Sequence, residues 1–392
     1  MRILYHHRTR GRHVEGVHIR GIVHALRGMG HEVNVLSFPG ADPEHEHETR
    51  PQQAKPTRGW LARIVTRMPG VLFEFLELAY NLVTVVRMHG AFRRLRPELI
   101  YERYSLFLFA TVWMARRRGI PLVLEINDSA LVQRVRPLYL KTLARRIEGW
   151  CLRNCAGLVF ISSYFRDQAH QAYGELAPSV VSPNAADLSR FDPSRFDRTR
   201  LRADRGLRDR IVCGHVGAFA QWHGVQHFVE NIAARLNEAP DLALVLVGDG
   251  LMLPTIREMI AARGLSDRVL TPGRVPHEDI ASWIACMDYA VLPDSNHYGS
   301  PMKLFELMAM GVAVVAPDYD PVAEVISDGH TGWLFPRGET ERCVERVLEL
   351  TARTDECHRV GAAARDYIVR ERQWRNNAEQ LLTLLPSGGA PA

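Results

Sequence analysis

The chain has 392 residues, enough for two domains of ordinary size, and 46% of them are hydrophobic and 24% charged. This composition is typical of a globular protein and excludes a disordered or fibrous chain. The formal charge of +5 is divided unevenly, because residues 1–185 carry +11 and the remainder carries −6. The basic half predicts an acidic ligand or surface, or else a solvated arginine-rich face.

Targeting and metal-binding signals are weak. The opening residues, MRILYHH, lack the apolar region of a signal peptide, and no run of about 18 uncharged apolar residues predicts a membrane span. The six cysteines do not have the spacing of a disulfide framework or a zinc site, so we expect reduced thiols and a cytoplasmic protein. The run Asp42–Glu48 either binds a metal or, more simply, forms a surface loop.

Short apolar runs alternate with amphipathic stretches, a pattern typical of βα units on a parallel sheet. In the first half we predict strands at Arg2–Tyr5, Glu32–Phe38, Leu99–Tyr101, Leu122–Ile126 and Gly157–Ile161. In the second half we predict strands at Ile211–Val216, Leu242–Val247, Val269–Leu270, Tyr289–Leu292 and Ala313–Ala316. Helical periods lie between them, for example at Val17–Gly28, Ala110–Arg118, Gln226–Leu236 and Met302–Met310. Two such sets predict two Rossmann-like domains joined near Ser182–Ser194, with ligand at the carboxyl ends of the strands.

The stretch Trp60–Leu95 interrupts this rhythm. It is apolar, contains interspersed arginines, and has only Glu74 and Glu77 as acids. One interpretation is an amphipathic element on a bilayer, with arginines that reach anionic head groups: Arg63, Arg67, Arg87, Arg93 and Arg94. The other is a set of ordinary core helices that cover an acceptor pocket.

Several segments, taken in order, resemble the retaining glycosyltransferases of family 4. They are GHEV at 30–33, VSPNAAD at 181–187 followed by Phe191, VGDG at 247–250, PMKLFELMAMG at 301–311 and DGHTGWLFP at 328–336. The resemblance covers almost the whole chain. It implies the α/β GT-B fold, with two Rossmann-like domains facing each other across a central cleft.

The resemblance also implies which substrate each domain binds. Residues 1–185 form the acceptor-binding domain, on which a C-terminal helix near 373–388 packs, and residues 186–372 bind the nucleotide sugar. The implied enzyme is a retaining, metal-independent hexosyltransferase without a cofactor. Its donor is a nucleotide diphosphate sugar, with a UDP-sugar as first choice. Its acceptor is a sugar, a lipid-linked glycan or a small molecule.

The residues themselves suit a sugar nucleotide. Backbone N–H groups at glycine turns and helix N-termini can hold a diphosphate, as at Gly16 and in the turn 297–303, although plain strand-to-helix turns look the same. Lys303 adds a point charge suited to phosphate. Glu306 lies one helical turn later among apolar neighbours, and the resemblance implies that it accepts from the ribose hydroxyls. The resemblance places further donor contacts at Gly217, Phe219, His223, Arg274, Val275, Asp294, Tyr298, Gly299, Ser300 and Met302.

The chain departs from the family pattern at three places. Ala218 and His223 stand where the family has an Arg and a Lys that bind the diphosphate, although His223 can donate to a phosphate that raises its pKa. Tyr298 replaces the first acid of the E-x7-E motif, and Asp294 is the nearest substitute. Asn127 stands where the family often has a His.

Acceptor chemistry is expected at two strand ends in the first half. Asn127 and Glu125, two residues apart on one side of a strand, are candidates to face the acceptor hydroxyl. With Lys303 they complete the candidate catalytic set, although the departing phosphate can itself take the proton of the acceptor. Glu102 and Arg103 are candidate acceptor contacts, or else an ordinary ion pair.

Competing classes of protein are less consistent with the sequence. Other GT-B enzymes, such as an epimerase or an inverting transferase, carry different carboxylate and histidine patterns. A non-catalytic homologue that serves as a binding partner would explain the departures. No G-x-G-x-x-G follows the first strand, so a dehydrogenase is disfavoured. We predict no metal ion on the diphosphate, and because no nucleic-acid module is recognisable we predict no nucleic-acid ligand either.

Overall fold

A computed structural model describes residues 1–11, 13–38, 41–44, 69–132 and 137–385. The chain divides into two compact units, Met1–Pro183 with Trp374–Ala392, and Asn184–Gln373. The expected C-terminal helix belongs to the first unit, where the Trp374 ring packs edge-on against His18 with centroids 4.8 Å apart. No helix in the described part of the chain combines the length and apolar character needed to cross a bilayer.

The first unit contains a six-stranded parallel sheet in the order β2-β1-β3-β4-β5-β6. Its strands are β1 Arg2–His6, β2 Glu32–Leu36, β3 Leu99–Arg103, β4 Leu122–Ile126, β5 Gly157–Phe160 and β6 Ser179–Val181. Its helices are α1 His13–Gly28, α2 Gly70–Leu95, α3 Ala110–Arg118, α4 Lys141–Asn154 and α5 Ser163–Tyr173, with α14 Trp374–Leu382 at the end of the chain. The central strands are covered on both faces, which explains their nearly continuous apolar sequence.

The second unit repeats this architecture with the strand order β12-β11-β10-β7-β8-β9. Its strands are β7 Ile211–Val216, β8 Leu242–Val247, β9 Val269–Gly273, β10 Tyr289–Val291, β11 Ala313–Pro317 and β12 Trp333–Phe335. Its helices are α6 Arg198–Asp204, α7 Val225–Arg235, α8 Leu253–Ala262, α9 Ile280–Ile284, α10 Met302–Ala309, α11 Asp320–Ala323, α12 Thr340–Thr351 and α13 Thr354–Glu371. Apolar side chains fill the space between this sheet and its helices.

Several predicted boundaries were wrong. The edge strands β6 and β12 were not predicted, because each has only three residues and no alternating pattern. Helix α1 begins at His13 rather than Val17, so Gly16 lies inside its first turn.

All six cysteines are free. The predictions for 45–48 within Asp42–Glu48, and for Trp60, Arg63 and Arg67, lie outside the described residues.

Candidate functional site

The carboxyl ends of the strands in the second unit form one framework of loops. Gly217 donates its N–H to the Val247 carbonyl at 2.9 Å, and Phe219 donates to the Asp249 carbonyl at 2.9 Å. The loop after β8 is tied to β9 because the Gly248 N–H donates to the Gly273 carbonyl at 3.0 Å. The strand order changes direction between β7 and β10, where a doubly wound sheet places its ligand crevice.

Two glycines allow these loops to approach each other. Gly248 has φ +147°, and a Cβ atom there would lie 1.8 Å from the Gly217 carbonyl oxygen. A Cβ atom on Gly217 would lie 2.5 Å from Nζ of Lys303 and 3.5 Å from Nε2 of His215. Glycine at 217 therefore leaves room for the two side chains.

Lys303 and His215 bring basic groups to this crevice. Nζ of Lys303 and Nε2 of His215 are both buried, and neither has a hydrogen-bond partner among the described residues. Burial lowers the pKa of Lys303 to about 8, although the charge of Glu306 opposes the shift. His215 donates from Nδ1 to the Val291 carbonyl at 3.0 Å, which leaves Nε2 facing the crevice. Burial, and then the Lys303 charge, lower its pKa well below the usual value.

His223 is a third basic group near Lys303. Its Nδ1 donates to the Ala218 carbonyl at 2.6 Å, in the loop where the family carries its Arg and Lys. Burial and the Lys303 charge lower the pKa of His223 to about 4, so the ring is neutral at pH 7 without a ligand. The arrangement can attract an anion through Lys303 and hold protons on the two histidines once negative charge arrives.

Glu306 is buried on α10, and Nε2 of His277 lies 3.1 Å from one of its carboxylate oxygens. Nδ1 of His277 is buried without a partner among the described residues. The sequence did not indicate His277. The carboxylate can still accept from vicinal hydroxyls, because each oxygen has two lone pairs.

The turn before α10 is fixed by two asparagines. Asn184 donates its backbone N–H to Oγ of Ser300 at 3.0 Å and its side-chain amide to the Ser300 carbonyl at 2.6 Å. Oδ1 of Asn296 accepts from the backbone of Tyr298 at 3.3 Å and also from that of Gly299. Asp294, the suggested substitute for the missing acid, accepts from the Tyr319 hydroxyl at 3.0 Å.

Some predicted donor contacts have buried side chains, and one belongs to the first unit. The Phe219 side chain is wholly buried in the core beneath the loop, so only the backbone at this position is placed for the predicted donor contact. Met302 is also buried, whereas Arg274 is exposed and Val275 packs against the core. Gly16 belongs to the first unit, and its missing Cβ lets α1 approach the Gly11 carbonyl oxygen, which a Cβ would meet at 2.3 Å.

In the first unit, Glu125 is the centre of a buried hydrogen-bond network. Its carboxylate accepts from Tyr101 at 2.7 Å, Arg103 at 2.7 Å and Asn127 at 3.0 Å, and Nε2 of His18 lies at 2.8 Å. Burial alone would raise the pKa of Glu125, but His18 and Arg103 outweigh it and lower the pKa to about 2. Glu125 is therefore suited to orient Arg103 and Asn127 rather than to take a proton.

Glu102 is engaged in a second buried contact beside this network. Its carboxylate lies 2.5 Å from Nδ1 of His6, and both side chains are almost wholly buried. His7 follows at the end of β1, and its Nε2 is buried without a partner among the described residues. The structure thus brings Arg103, Asn127 and Glu125 together, whereas Glu102 is paired with a histidine that the sequence did not indicate.

The residues missed by sequence reasoning are mostly histidines. His215 and His277 carried no motif, since one lies inside an apolar strand and the other in a polar connection. A weak signal was available for His215, because a charged or titratable residue in an otherwise buried strand is uncommon. Among the described residues, no group of three or more His, Cys, Asp or Glu side chains is arranged to hold a metal ion.

The fold defines the class of protein. The chain matches HepE of Anabaena, solved with UDP, with TM-score 0.68 and 19% identity over 98% of this chain and 99% of that one. It matches sucrose-phosphate synthase of Thermosynechococcus elongatus with TM-score 0.73 and 17% identity over 98% of both chains. At these identities the similarity shows the fold alone, which is GT-B.

Family membership follows from the sequence comparisons. Residues 16–190 match the family described as Glycosyltransferase Family 4, and residues 210–353 match the one described as Glycosyl transferases group 1. The chain therefore belongs to the family 4, group 1 glycosyltransferases.

Curated relatives with this similarity act on several sugars. The alpha-D-kanosaminyltransferase of Streptomyces kanamyceticus is 31% identical over 60% of this chain and 63% of its own length. A GDP-mannose-dependent phosphatidylinositol monomannoside mannosyltransferase of Mycolicibacterium smegmatis is 27% identical over 58% and 61%. The matched region thus spans less than two thirds of either relative. The 2-deoxystreptamine glucosyltransferase of Streptomyces kanamyceticus is 25% identical over 82% of this chain and 86% of its own.

Proposed function

We propose that this protein transfers a hexosyl group from a nucleoside diphosphate sugar to an acceptor hydroxyl, with retention at the anomeric carbon and without a metal ion. The observation that carries the proposal is a pair of buried groups at the switch point of the second sheet, Nζ of Lys303 and Nε2 of His215, neither of which has a hydrogen-bond partner in the described part of the chain. A buried ammonium without a partner costs folding free energy, so a ligand that supplies negative charge is the simplest reason to keep it.

The reaction follows from these groups. The bond between the anomeric carbon and the β-phosphate oxygen breaks, and the acceptor oxygen forms the new bond on the same face of the sugar. Lys303 stabilises the charge that develops on the leaving diphosphate. His223 and His215 can each take up a proton from solvent when the negative diphosphate binds, and then donate a hydrogen bond to it. The acceptor proton passes to the departing phosphate. Glu125 has a pKa lowered to about 2 and all its donors in place, so it acts as a positioning residue.

The donor contacts are assigned by chemistry. Glu306 accepts from the ribose diol beside His277, and the backbone at Arg274 and Val275 meets the base. A UDP-sugar remains the first choice of donor, with a GDP-sugar second because one relative is named for GDP-mannose. The acceptor is a sugar, a lipid-linked glycan or a small molecule that meets Arg103 and Asn127. The free thiols suit the reducing cytoplasm.

The test is a thermal-shift series with UDP, GDP and dTDP, followed by sugar-nucleotide turnover. A nucleotide that binds only the folded protein must raise its melting temperature. Glu306→Ala should weaken that nucleotide by roughly 10- to 100-fold, since a charge-assisted hydrogen bond is worth about 1.5–3 kcal/mol. Glu258→Ala, the same change at an exposed position on α8, is the matched control. Unchanged affinity in Glu306→Ala would remove the ribose assignment, and binding without turnover of any donor would favour a non-catalytic homologue.

A further inference from the structure

Helix α2 presents an unusual apolar face to solvent. All eight of its exposed positions between residues 71 and 86 are apolar: Val71, Leu72, Phe75, Leu76, Ala79, Leu82, Val83 and Val86. Leu82 and Val86 are each 73% exposed. At 1.5 Å per residue the face is about 22 Å long. A contiguous exposed face of this kind marks an interaction surface more often than isolated apolar residues do.

The orientation of α2 is fixed by polar side chains on its buried face. Glu74 accepts from the backbone N–H groups of Tyr139 and Leu140 at 2.7 Å each, immediately before α4. Asn81 accepts from the N–H groups of Phe109 and Ala110 at 3.0 and 2.9 Å, at the start of α3. Turning the helix to bury its apolar face would break these bonds and leave buried groups unpaired. The apolar face therefore points outward as a stable feature of the fold.

The same helix ends in a basic cluster. Beyond Val86 the exposed positions of α2 are His89, Gly90, Arg93 and Arg94. The last turn of α3 adds Arg116, Arg117 and Arg118, and the Arg118 guanidinium lies 4.7 Å from the Phe92 ring on α2. Exposed Trp113 on α3 lies under Arg117, with 4.4 Å between the guanidinium carbon and the ring centroid. Basic residues at a helix C-terminus complement its dipole, but that role does not require an apolar face beside them.

A cavity of about 1220 Å³ lies at this basic end, in the first unit. Its rim carries Arg93, Arg96, Arg116 and Arg118, and its walls include apolar side chains such as Phe92 and Leu122. Glu98, the acid in its lining, is tied to Arg2 by a 2.7 Å bond from the backbone N–H. The combination of a basic rim and apolar walls is complementary to an anionic head group and its upper chain.

We infer that the face formed by α2 and α3 docks on an anionic lipid bilayer. The apolar side chains enter the boundary between head groups and acyl chains, and the arginines bind lipid phosphates. Arg87, which the sequence suggested for this role, is instead held by the Ser37 carbonyl. The inference concerns a surface of the first unit and does not rest on the proposed function.

The test is co-sedimentation of the full chain with vesicles of phosphatidylcholine alone or with phosphatidylglycerol. We expect binding to the anionic vesicles at low salt that weakens as salt rises, because the Debye length falls to about 8 Å at physiological ionic strength. Arg93→Gln/Arg94→Gln should weaken binding by about tenfold or more, since each basic residue near the surface contributes about 1 kcal/mol. Arg200→Gln/Arg208→Gln, the same charge change on exposed residues of the second unit, is the control and should bind as the unmodified protein does.

The apolar contribution is tested separately with Leu82→Gln/Val86→Gln, for which Leu251→Gln/Val369→Gln is the control on exposed residues of the second unit. We expect the first pair to lower vesicle binding by about tenfold without lowering the melting temperature. The inference fails if the protein stays in the supernatant at low salt, or if the control pairs lose as much binding. A lower melting temperature of Leu82→Gln/Val86→Gln would mean that another part of the chain covers the apolar face of α2. Light scattering that shows a dimer dissociated by Leu82→Gln/Val86→Gln would assign it to a second copy.

Discussion

Lys303 is the residue on which the proposed function most depends. Its pKa of about 8 lies below the ordinary value of 10.5, because burial penalises the ammonium. Below pH 8 the lysine is charged in both the folded and unfolded states, so the unfavourable free energy of burying its charge lowers the stability of the folded protein in full. Between about pH 8 and 10.5 the folded state loses the proton before the unfolded state does, so the free energy of unfolding should rise over this range.

We therefore expect Lys303→Met to stabilise the ligand-free protein at pH 7 by roughly 1–3 kcal/mol while reducing its stabilisation by nucleoside diphosphate. Urea unfolding with and without nucleotide measures both effects. Lys141→Met, at an exposed position on α4, is the matched control and should change neither. A destabilised Lys303→Met protein that still binds nucleotide would show that the lysine has a structural role.

The elements of the first unit meet at Glu125. Helix α1 supplies His18 and strand β3 supplies Tyr101 and Arg103. Strand β4 supplies Glu125, and Asn127 follows directly after this strand. The carboxylate has a pKa of about 2 against an ordinary 4.5, so it stabilises the fold above pH 4.5 and loses that contribution as pH falls towards 2. The network therefore joins three elements through one charge.

At pH 7, Glu125→Gln should destabilise the protein by about 2–4 kcal/mol, because Arg103 and His18 lose their buried partner. Its stability should also fall less steeply than that of the unmodified protein between pH 4.5 and 2. Equilibrium unfolding across this pH range measures both, and Glu175→Gln on the surface is the control for the loss of one carboxylate. Equal acid sensitivity of the two variants would contradict the role of Glu125.

The elements also show what the sequence could and could not predict. Strands β4, β7 and β8 lie where their apolar runs predicted, because a buried parallel strand has little else in its sequence. The three-residue edge strands β6 and β12 were not predicted, since their pairing depends on neighbours that are distant in sequence. The outward orientation of the apolar face of α2 could not be predicted either, because it depends on the backbone N–H groups that Glu74 and Asn81 bind.

At the scale of the whole molecule, motif order identified the family but not the details of the site. Lys303 and Glu306 could be proposed as site residues from the sequence because they stand within a contiguous helical motif. His215 and His277 come from other segments and reach the same crevice only through the sheet and its connections. Short motifs report local structure, whereas the environment that lowers the pKa of His223 requires the folded unit.

The leaving diphosphate develops negative charge during the reaction. Whether a metal ion is needed depends on which groups supply the compensating positive charge. If Lys303 and the two histidines supply the compensating charge, divalent cations should be dispensable. We expect excess EDTA to leave the initial rate of sugar transfer within about twofold, and added Mg²⁺ or Mn²⁺ to restore nothing to the slow Lys303→Met variant. The two variants Lys303→Met and Lys141→Met, assayed with and without EDTA, separate loss of this charge from a general effect of removing a lysine. Loss of activity in EDTA, with recovery on adding Mg²⁺ or Mn²⁺, would mean that a metal ion carries part of the charge that we assign to Lys303.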